Sequence, residues 1–145
     1  MIGKKSGFTL IELLVVISII GILLGLSIFG LQGARQSSRD ARRKADLEQI
    51  RSGLEIYKAD CDSYPTSLAS PLEGTEDTGS CLKANTYIAS VPKDPMDPTS
   101  EYAYLSDGIT YTLCASLEQV PSPTMAPTPA CGSCTTTCNY RVINP

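Results

Sequence analysis

Six cysteines and one isolated glutamate are the residues of this sequence best suited to chemistry. The cysteines all lie beyond an apolar N-terminal run, and they are Cys61, Cys81, Cys114, Cys131, Cys134 and Cys138. The sequence has no histidine, so it lacks the commonest general base and metal ligand at neutral pH. Cys131 and Cys134 have C-x2-C spacing, but a structural zinc ion needs four ligands and no histidine can complete the set. Since no nucleophile–base pair is visible either, we predict disulfide bonds, no metal site and no enzyme activity.

The glutamate is Glu12, the single charge in an apolar run from Phe8 to Leu31. At about 1.5 Å per residue, a helix over this run spans roughly 36 Å. That length crosses a hydrocarbon core of about 30 Å, and the run is longer than the apolar region of an ordinary signal peptide. We therefore interpret residues 8–31 as a membrane-spanning helix. A carboxylate near its edge is either tolerated at the interface or paired with a cation.

Charge is distributed unevenly around this helix. Residues 1–59 hold nine of the twelve Lys and Arg residues, whereas residues 60–145 hold ten of the fifteen acids. An acidic distal half lacks the basic footprint that phosphate backbones require. Nucleic acid is therefore an unlikely partner, although the basic segment leaves it open.

The stretch KKSGFTLIE, from Lys4 to Glu12, resembles the class III leader and processing site of type IV pilins and type II secretion pseudopilins. The resemblance implies a leader at residues 1–7, cleavage by a prepilin peptidase between Gly7 and Phe8, and N-methylation of Phe8. Glu12 would then be the counter-charge for the new Phe8 ammonium, in its own subunit or in a neighbour. In the family, pairing with the neighbour is thought to set the axial register of a filament.

Gly21 and Gly25 form a GxxxG pattern within the run. Small residues at this spacing let helices approach closely in lipid, although glycine is also frequent in membrane helices generally. We therefore assign residues 8–31 a role in assembly as well as in anchoring. Phe29 stands where many relatives have a proline, so a kink in the helix is left open.

Residues 32–60 are predicted to continue the helix as an amphipathic stalk. Apolar residues recur at alternating spacings of three and four, and they are Leu47, Ile50, Leu54, Tyr57 and Cys61. This stripe must cover a partner, for which we expect a sheet from the distal region. A basic cluster precedes the stripe and comprises Arg35, Arg39, Arg42, Arg43 and Lys44. It is interpreted as a solvated face near lipid headgroups, with acidic surfaces of neighbouring subunits, or DNA, as alternative partners.

Residues 61–120 are predicted to form the distal domain. Residues 66–90 have the composition of a loop, and the prolines at 92–98 indicate a rigid turn. Alternation predicts strands at 101–106 and 109–115 with Asp107-Gly108 between them, and a third strand at 139–143. Residues 121–145 are a Pro/Thr linker and a cysteine-rich tail. The predicted fold is α+β, with a long transmembrane and stalk helix packed against a small antiparallel sheet.

The distal elements resemble those of the major pseudopilin of type II secretion, which implies the ladle shape of that family. Such proteins usually carry calcium in an acidic loop after the last strand, but residues 116–129 offer no cluster of hard oxygen ligands. We therefore predict no calcium site, with Asp94, Asp97 and Asp107 as a fallback. For the disulfides we expect Cys61–Cys81, and Cys114 bonded to one of the tail cysteines.

The resemblance implies a structural filament subunit of a type II secretion pseudopilus. The implied partners are copies of itself, minor pilins or pseudopilins, prepilin peptidase, the inner-membrane platform with its ATPase, and membrane lipid. The leader motif and the cysteines place the N-terminus in the cytoplasm and the distal domain outside, although the basic cluster alone would favour the opposite orientation. The alternatives are a type IV or competence pilin for adhesion, motility or DNA uptake, and a signal-cleaved disulfide-rich binding domain.

Overall fold

The computed structural model describes residues 7–119, 131, 134 and 138–144, without the side chains of residues 28 and 29. Most of the predicted leader (residues 1–6) and the predicted Pro/Thr linker lie outside the described residues. The elements are α1 (Leu10–Cys61), β1 (Leu72–Glu73), β2 (Thr86–Ile88), β3 (Ala103–Ser106), β4 (Tyr111–Ala115) and β5 (Tyr140–Ile143). The chain divides into two compact units, Met1–Gln36 and Ser37–Pro145, which we call the N-terminal unit and the distal unit.

Helix α1 begins in the N-terminal unit as an apolar helix. It contains an 18-residue window with a mean hydropathy of 2.8, and none of that window is buried within the chain. The core helix of a soluble protein would be mostly covered, so length, composition and exposure together make this segment suitable for crossing a membrane.

In the distal unit, α1 buries the stripe that the periodicity predicts. Leu47, Ile50 and Leu54 are fully buried and Tyr57 nearly so. Gly53 lies on the same side, and a Cβ at this position would come within 2.3 Å of Ile88 Cγ1. A glycine here therefore lets the segment that carries β2 lie directly on the helix.

Two small antiparallel sheets supply the partners of this stripe. Strands β1 and β2 form one sheet, and the other has the order β3-β4-β5. The prediction of a plain loop over 66–90 was wrong, because two short strands too brief for a periodicity signal pair within it. The predicted third strand is confirmed as β5, which pairs with β4.

The two strands of the β3–β4 hairpin are shorter than predicted. The Asp107 carboxylate accepts the backbone N–H groups of Ile109 and Thr110 at 2.9 and 2.6 Å, so both residues belong to the turn. Gly108 has a φ of 86°, which suits a glycine in that turn. Strand β4 therefore begins at Tyr111, which is buried in the core.

Candidate functional site

Glu12 is held at the first turn of α1 by Thr9. The Thr9 backbone N–H and hydroxyl donate to Glu12 Oε2 at 2.9 and 2.6 Å, and the Glu12 N–H lies 3.3 Å from Thr9 Oγ1. This reciprocal arrangement is a capping box. The T-x-x-E spacing from Thr9 to Glu12 is the sequence signal of this motif, and it was not among the features predicted above. Capping therefore accounts for one role of Glu12, and its pairing with a Phe8 ammonium stays a prediction.

The apolar part of α1 has no cover within the described residues. Phe8 is 85% exposed, and a Cβ added at Gly21 or Gly25 would meet no atom within 4 Å apart from the adjacent residues and backbone of its own helix. The hydroxyls of Ser18 and Ser27 donate to the carbonyl oxygens four residues earlier, both at 2.8 Å, so these polar groups need no water. This surface is suited to lipid or to another apolar helix.

The basic cluster after the apolar segment does not form one solvated face. Arg43 is only 1% exposed, and Arg39 donates two hydrogen bonds to Glu118, at 2.6 and 2.5 Å. The interpretation as a solvated face was wrong for Arg43, and both arginines have acidic partners in their own chain. Arg35, Arg42 and Lys44 remain exposed. Only these three are available to lipid headgroups or other partners, which reduces the basic footprint for DNA.

Arg43 is the centre of a buried ion-pair network with Asp94, Asp40 and Glu118. Its guanidinium donates to both Asp94 oxygens at 2.7 and 3.0 Å, to Asp40 Oδ1 at 2.8 Å and to Glu118 Oε1 at 3.0 Å. Asp40 also accepts the backbone N–H groups of Glu118 and Gln119. The network thus fastens the helix to the segment after β2 and to the segment after β4.

These contacts shift the pKa values of Glu118 and Arg43. Hydrogen bonds from Arg39, and then from Arg43, lower the pKa of Glu118 from 4.5 to about 2. The hydrogen bond from Arg43 to Asp94 is the main reason that the pKa of Arg43 is raised. Glu118 and Arg43 therefore stay ionised at neutral pH.

A sequence signal for the network existed. Asp40 and Arg43 precede Leu47 by seven and four residues, so both lie on the apolar stripe that was predicted to be buried. Two charges on a buried stripe indicate partners supplied from elsewhere in the chain. Their partners Asp94 and Glu118 could not be found by spacing, since they lie 51 and 75 residues beyond Arg43.

The three carboxylates proposed as a fallback calcium site have separate protein partners. Asp94 is bound to Arg43, Asp97 pairs with Lys93 Nζ at 3.2 Å, and Asp107 caps its turn. Within the described residues, the one group of three metal-ligand side chains consists of Cys114, Cys131 and Cys138. Cys114 and Cys131 are bonded to each other there, so they offer no thiolates to a metal.

All six cysteines are in disulfides. The bonds are Cys61–Cys81, Cys114–Cys131 and Cys134–Cys138. The first two agree with the pairings favoured from the sequence. Cys61–Cys81 joins the last residue of α1 to the segment between β1 and β2, and Cys114–Cys131 joins β4 to the tail.

The combination of elements is that of a pilin-like protein: an uncovered apolar helix with a leader-type motif, continuing as an amphipathic helix packed on antiparallel strands. Residues 2–28 match the prokaryotic N-terminal methylation motif. Residues 31–116 match the model for type II secretion system protein G. The chain belongs to the type II secretion system protein G family.

Relatives agree with this assignment. The chain is 32% identical to the type II secretion system core protein G of Vibrio cholerae serotype O1, over 72% of this chain and 73% of the relative. It is 34% identical to that of Escherichia coli K12, over 72% and 74%. It is 33% identical to that of Pseudomonas aeruginosa, over 72% and 76%. No solved structure matches the chain.

Proposed function

We propose that this chain is a prepilin that is processed, methylated and polymerised into a type II secretion pseudopilus. The observation that carries the proposal is the match to the protein G model together with an apolar helix that nothing in the described chain covers. Its role is structural, and its main partner is a second copy of itself. Minor pseudopilins, the prepilin peptidase and the inner-membrane platform with its ATPase complete the set. No observation favours a type IV or competence pilus.

The distal unit lies outside the cytoplasm in this proposal. Three disulfides support that orientation, because cytosolic thiols are kept reduced. The exposed Arg35, Arg42 and Lys44 would then lie near the outer face of the membrane, where lipid headgroups can receive them.

Glu12 has two successive roles in this proposal. In the precursor its carboxylate caps the helix through Thr9. Cleavage after Gly7 creates an ammonium on Phe8, next to the residue that Glu12 already contacts. An ammonium in an apolar environment requires a counter-charge, which Glu12 supplies within the subunit or to its neighbour.

Mass spectrometry of the mature N-terminus tests the processing step. We expect a chain that begins at a methylated Phe8. A chain that retains Met1, or one that begins near Ala34 after cleavage by signal peptidase, would contradict the proposal.

Filament assembly tests the role of Glu12. We expect Glu12→Ala and Glu12→Gln to be processed normally but to yield few filaments, because both lack the counter-charge. Thr9→Val is the control: it removes the capping hydroxyl and keeps the carboxylate, so it should assemble. Normal filament yield from Glu12→Gln would refute the counter-charge.

A further inference from the structure

A pocket of about 400 Å³ lies in the distal unit, beside the ion-pair network. Its size is within the range of about 300–1,000 Å³ that ligand pockets occupy. The segment between β2 and β3 forms much of its wall, together with residues 66–68. Tyr102 and Tyr104, Ser100, Glu101 and Asp97 are among its lining residues.

The wall of the pocket is fixed in place by hydrogen bonds. Asp94, anchored by Arg43, accepts the Met96 N–H at 2.8 Å through its carboxylate and the Asp97 N–H at 3.0 Å through its carbonyl oxygen. The Met96 carbonyl oxygen then accepts the N–H groups of Thr99 and Ser100. The pocket is thus largely preformed, which reduces the entropy cost of filling it.

Ser100 is the residue in this wall that lacks an explanation in the fold. It is 6% exposed, yet its hydroxyl has no hydrogen-bond partner among the described residues. A buried hydroxyl without a partner is unfavourable, and native proteins seldom retain one. A group entering the pocket would supply the missing partner.

The hydroxyl protons of the two lining tyrosines are already in use. The Tyr102 hydroxyl donates to Asp46 at 2.7 Å, and the Tyr104 hydroxyl donates to the Pro65 carbonyl oxygen at 2.6 Å. The tyrosines can therefore offer a ligand acceptor oxygens and aromatic surface, but no free donor. Ring faces attract cations.

The charged side chains that line the pocket also favour a cationic ligand. Asp94 is hydrogen-bonded to Arg43, and Asp97 pairs with the exposed Lys93, which also lines the pocket. Glu101 is exposed and has no ion pair within the described residues. Of the three carboxylates that line the pocket, Glu101 is therefore the one without an ion pair within the described residues.

We propose that this pocket binds the arginine side chain of a partner protein segment. A guanidinium carries five N–H donors and no acceptor, which complements a pocket rich in acceptors, and its plane stacks on aromatic rings. Glu101 supplies the counter-charge, Tyr102 and Tyr104 the stacking surface, and the Ser100 hydroxyl an acceptor. The inference does not require the pseudopilus assignment, because it rests on the distal unit alone.

A titration followed by nuclear magnetic resonance tests the proposal. The labelled full chain in detergent micelles is titrated with the peptide acetyl-Gly-Arg-Gly-amide and with its citrulline counterpart, which has the same shape and no charge. We expect saturable shifts of the amide signals of residues 100–102 with the arginine peptide, and binding at least about tenfold weaker with citrulline. Equal binding of the two peptides, or no saturable shift, overturns the proposal.

Variants locate the site. Glu101→Gln should weaken binding of the arginine peptide several-fold, whereas Glu73→Gln, which removes an exposed acid outside the pocket, should leave it unchanged. Ser100→Ala should weaken binding while folding at least as stably as the parent chain, because it breaks no hydrogen bond. Equal losses in Glu101→Gln and Glu73→Gln would show diffuse attraction to acids and would overturn the site, as would full binding by Ser100→Ala.

Discussion

Arg43 joins three separate segments of the distal unit through one side chain. It pairs with Asp40 on its own helix, with Asp94 after β2 and with Glu118 after β4. A buried ion pair is not in itself strong evidence of stability, because desolvation offsets much of the attraction. Removing Arg43 is different, since it leaves the buried Asp94 and Asp40 carboxylates without their cation, whereas Glu118 keeps Arg39.

Arg43→Met should therefore destabilise the distal unit by about 3–5 kcal/mol. The substitution keeps a long side chain but leaves Asp94 and Asp40 without a counter-charge. Thermal unfolding of the full chain in detergent, followed by near-ultraviolet circular dichroism, measures the effect, because all seven tyrosines lie between residues 57 and 140. Arg42→Met is the matched control: its side chain is 67% exposed, and the change should stay within about 0.5 kcal/mol. Similar losses in the two variants would contradict the central place of Arg43.

Glu118 should make stability depend on pH below neutrality. Its pKa is 4.5 in an ordinary environment and about 2 in the folded chain, so its contribution is fully present above pH 4.5. As pH falls from 4.5 towards 2, the unfolded chain takes up a proton that the folded chain does not, and stability is lost. Melting temperatures across this range should fall less steeply for Glu118→Gln than for the parent chain. Parallel curves would show that Glu118 has no shifted pKa.

Among the secondary-structure elements, the contact between α1 and β2 depends on the absence of a side chain at Gly53. Gly53→Ala places a methyl group against the buried Ile88, which costs about 1–3 kcal/mol, whereas alanine in a helix gains about 1 kcal/mol. We expect a net loss of roughly 1 kcal/mol in the same thermal assay. Ser52→Ala, one residue earlier on an exposed position, should be nearly neutral. An alanine variant more stable than the parent would rule out the close contact.

The end of α1 is fixed by the Cys61–Cys81 disulfide. Its residues are 20 apart, whereas those of Cys134–Cys138 are 4 apart. In the chain-entropy model, loss of the longer loop costs about 3 kcal/mol and loss of the shorter one about 2 kcal/mol. The paired serine variants should therefore differ in melting temperature, with the Cys61→Ser/Cys81→Ser chain lower. The reverse order would show that the tail disulfide stabilises through contacts and not through loop closure.

Across the whole distal unit, arginine side chains of α1 attach the segments after β2 and β4 to the helix. The segment after β4 is tied to α1 by Arg39, Arg43 and Asp40, and the segment after β2 by Arg43. We therefore expect calcium to be dispensable for its stability. Melting temperatures of the full chain should be the same with calcium, with magnesium and with a chelator, because a ligand raises the melting temperature only if it binds the folded state. A rise with calcium alone would reveal a site that these contacts do not replace.

The sequence was sufficient for the helix, its buried stripe and the hairpin, because each repeats a local period. Leu47, Ile50 and Leu54 follow the helical period, and Tyr111 and Leu113 follow the strand period. It was insufficient for β1 and β2, which are two and three residues long. The sequence also did not predict the ion-pair network or the pocket with Ser100, since both form where segments distant in the chain come into contact. The helical period places Asp40 and Arg43 on the buried stripe and so indicates that they need partners, but it does not identify partners from distant segments.

Two attachments hold α1 to the rest of the distal unit, the ion-pair network at Arg43 and the disulfide at Cys61. Arg43 and Cys61 are 18 residues apart, so about 27 Å of helix lies between the ion-pair network and the disulfide. A force along the helix axis would act on the ion-pair network and on the Cys61–Cys81 disulfide at the same time. It would shear several hydrogen bonds and one covalent bond together. The helix could not slide past its sheets without breaking both at once. A subunit built in this way transmits a push along its axis to the whole distal unit.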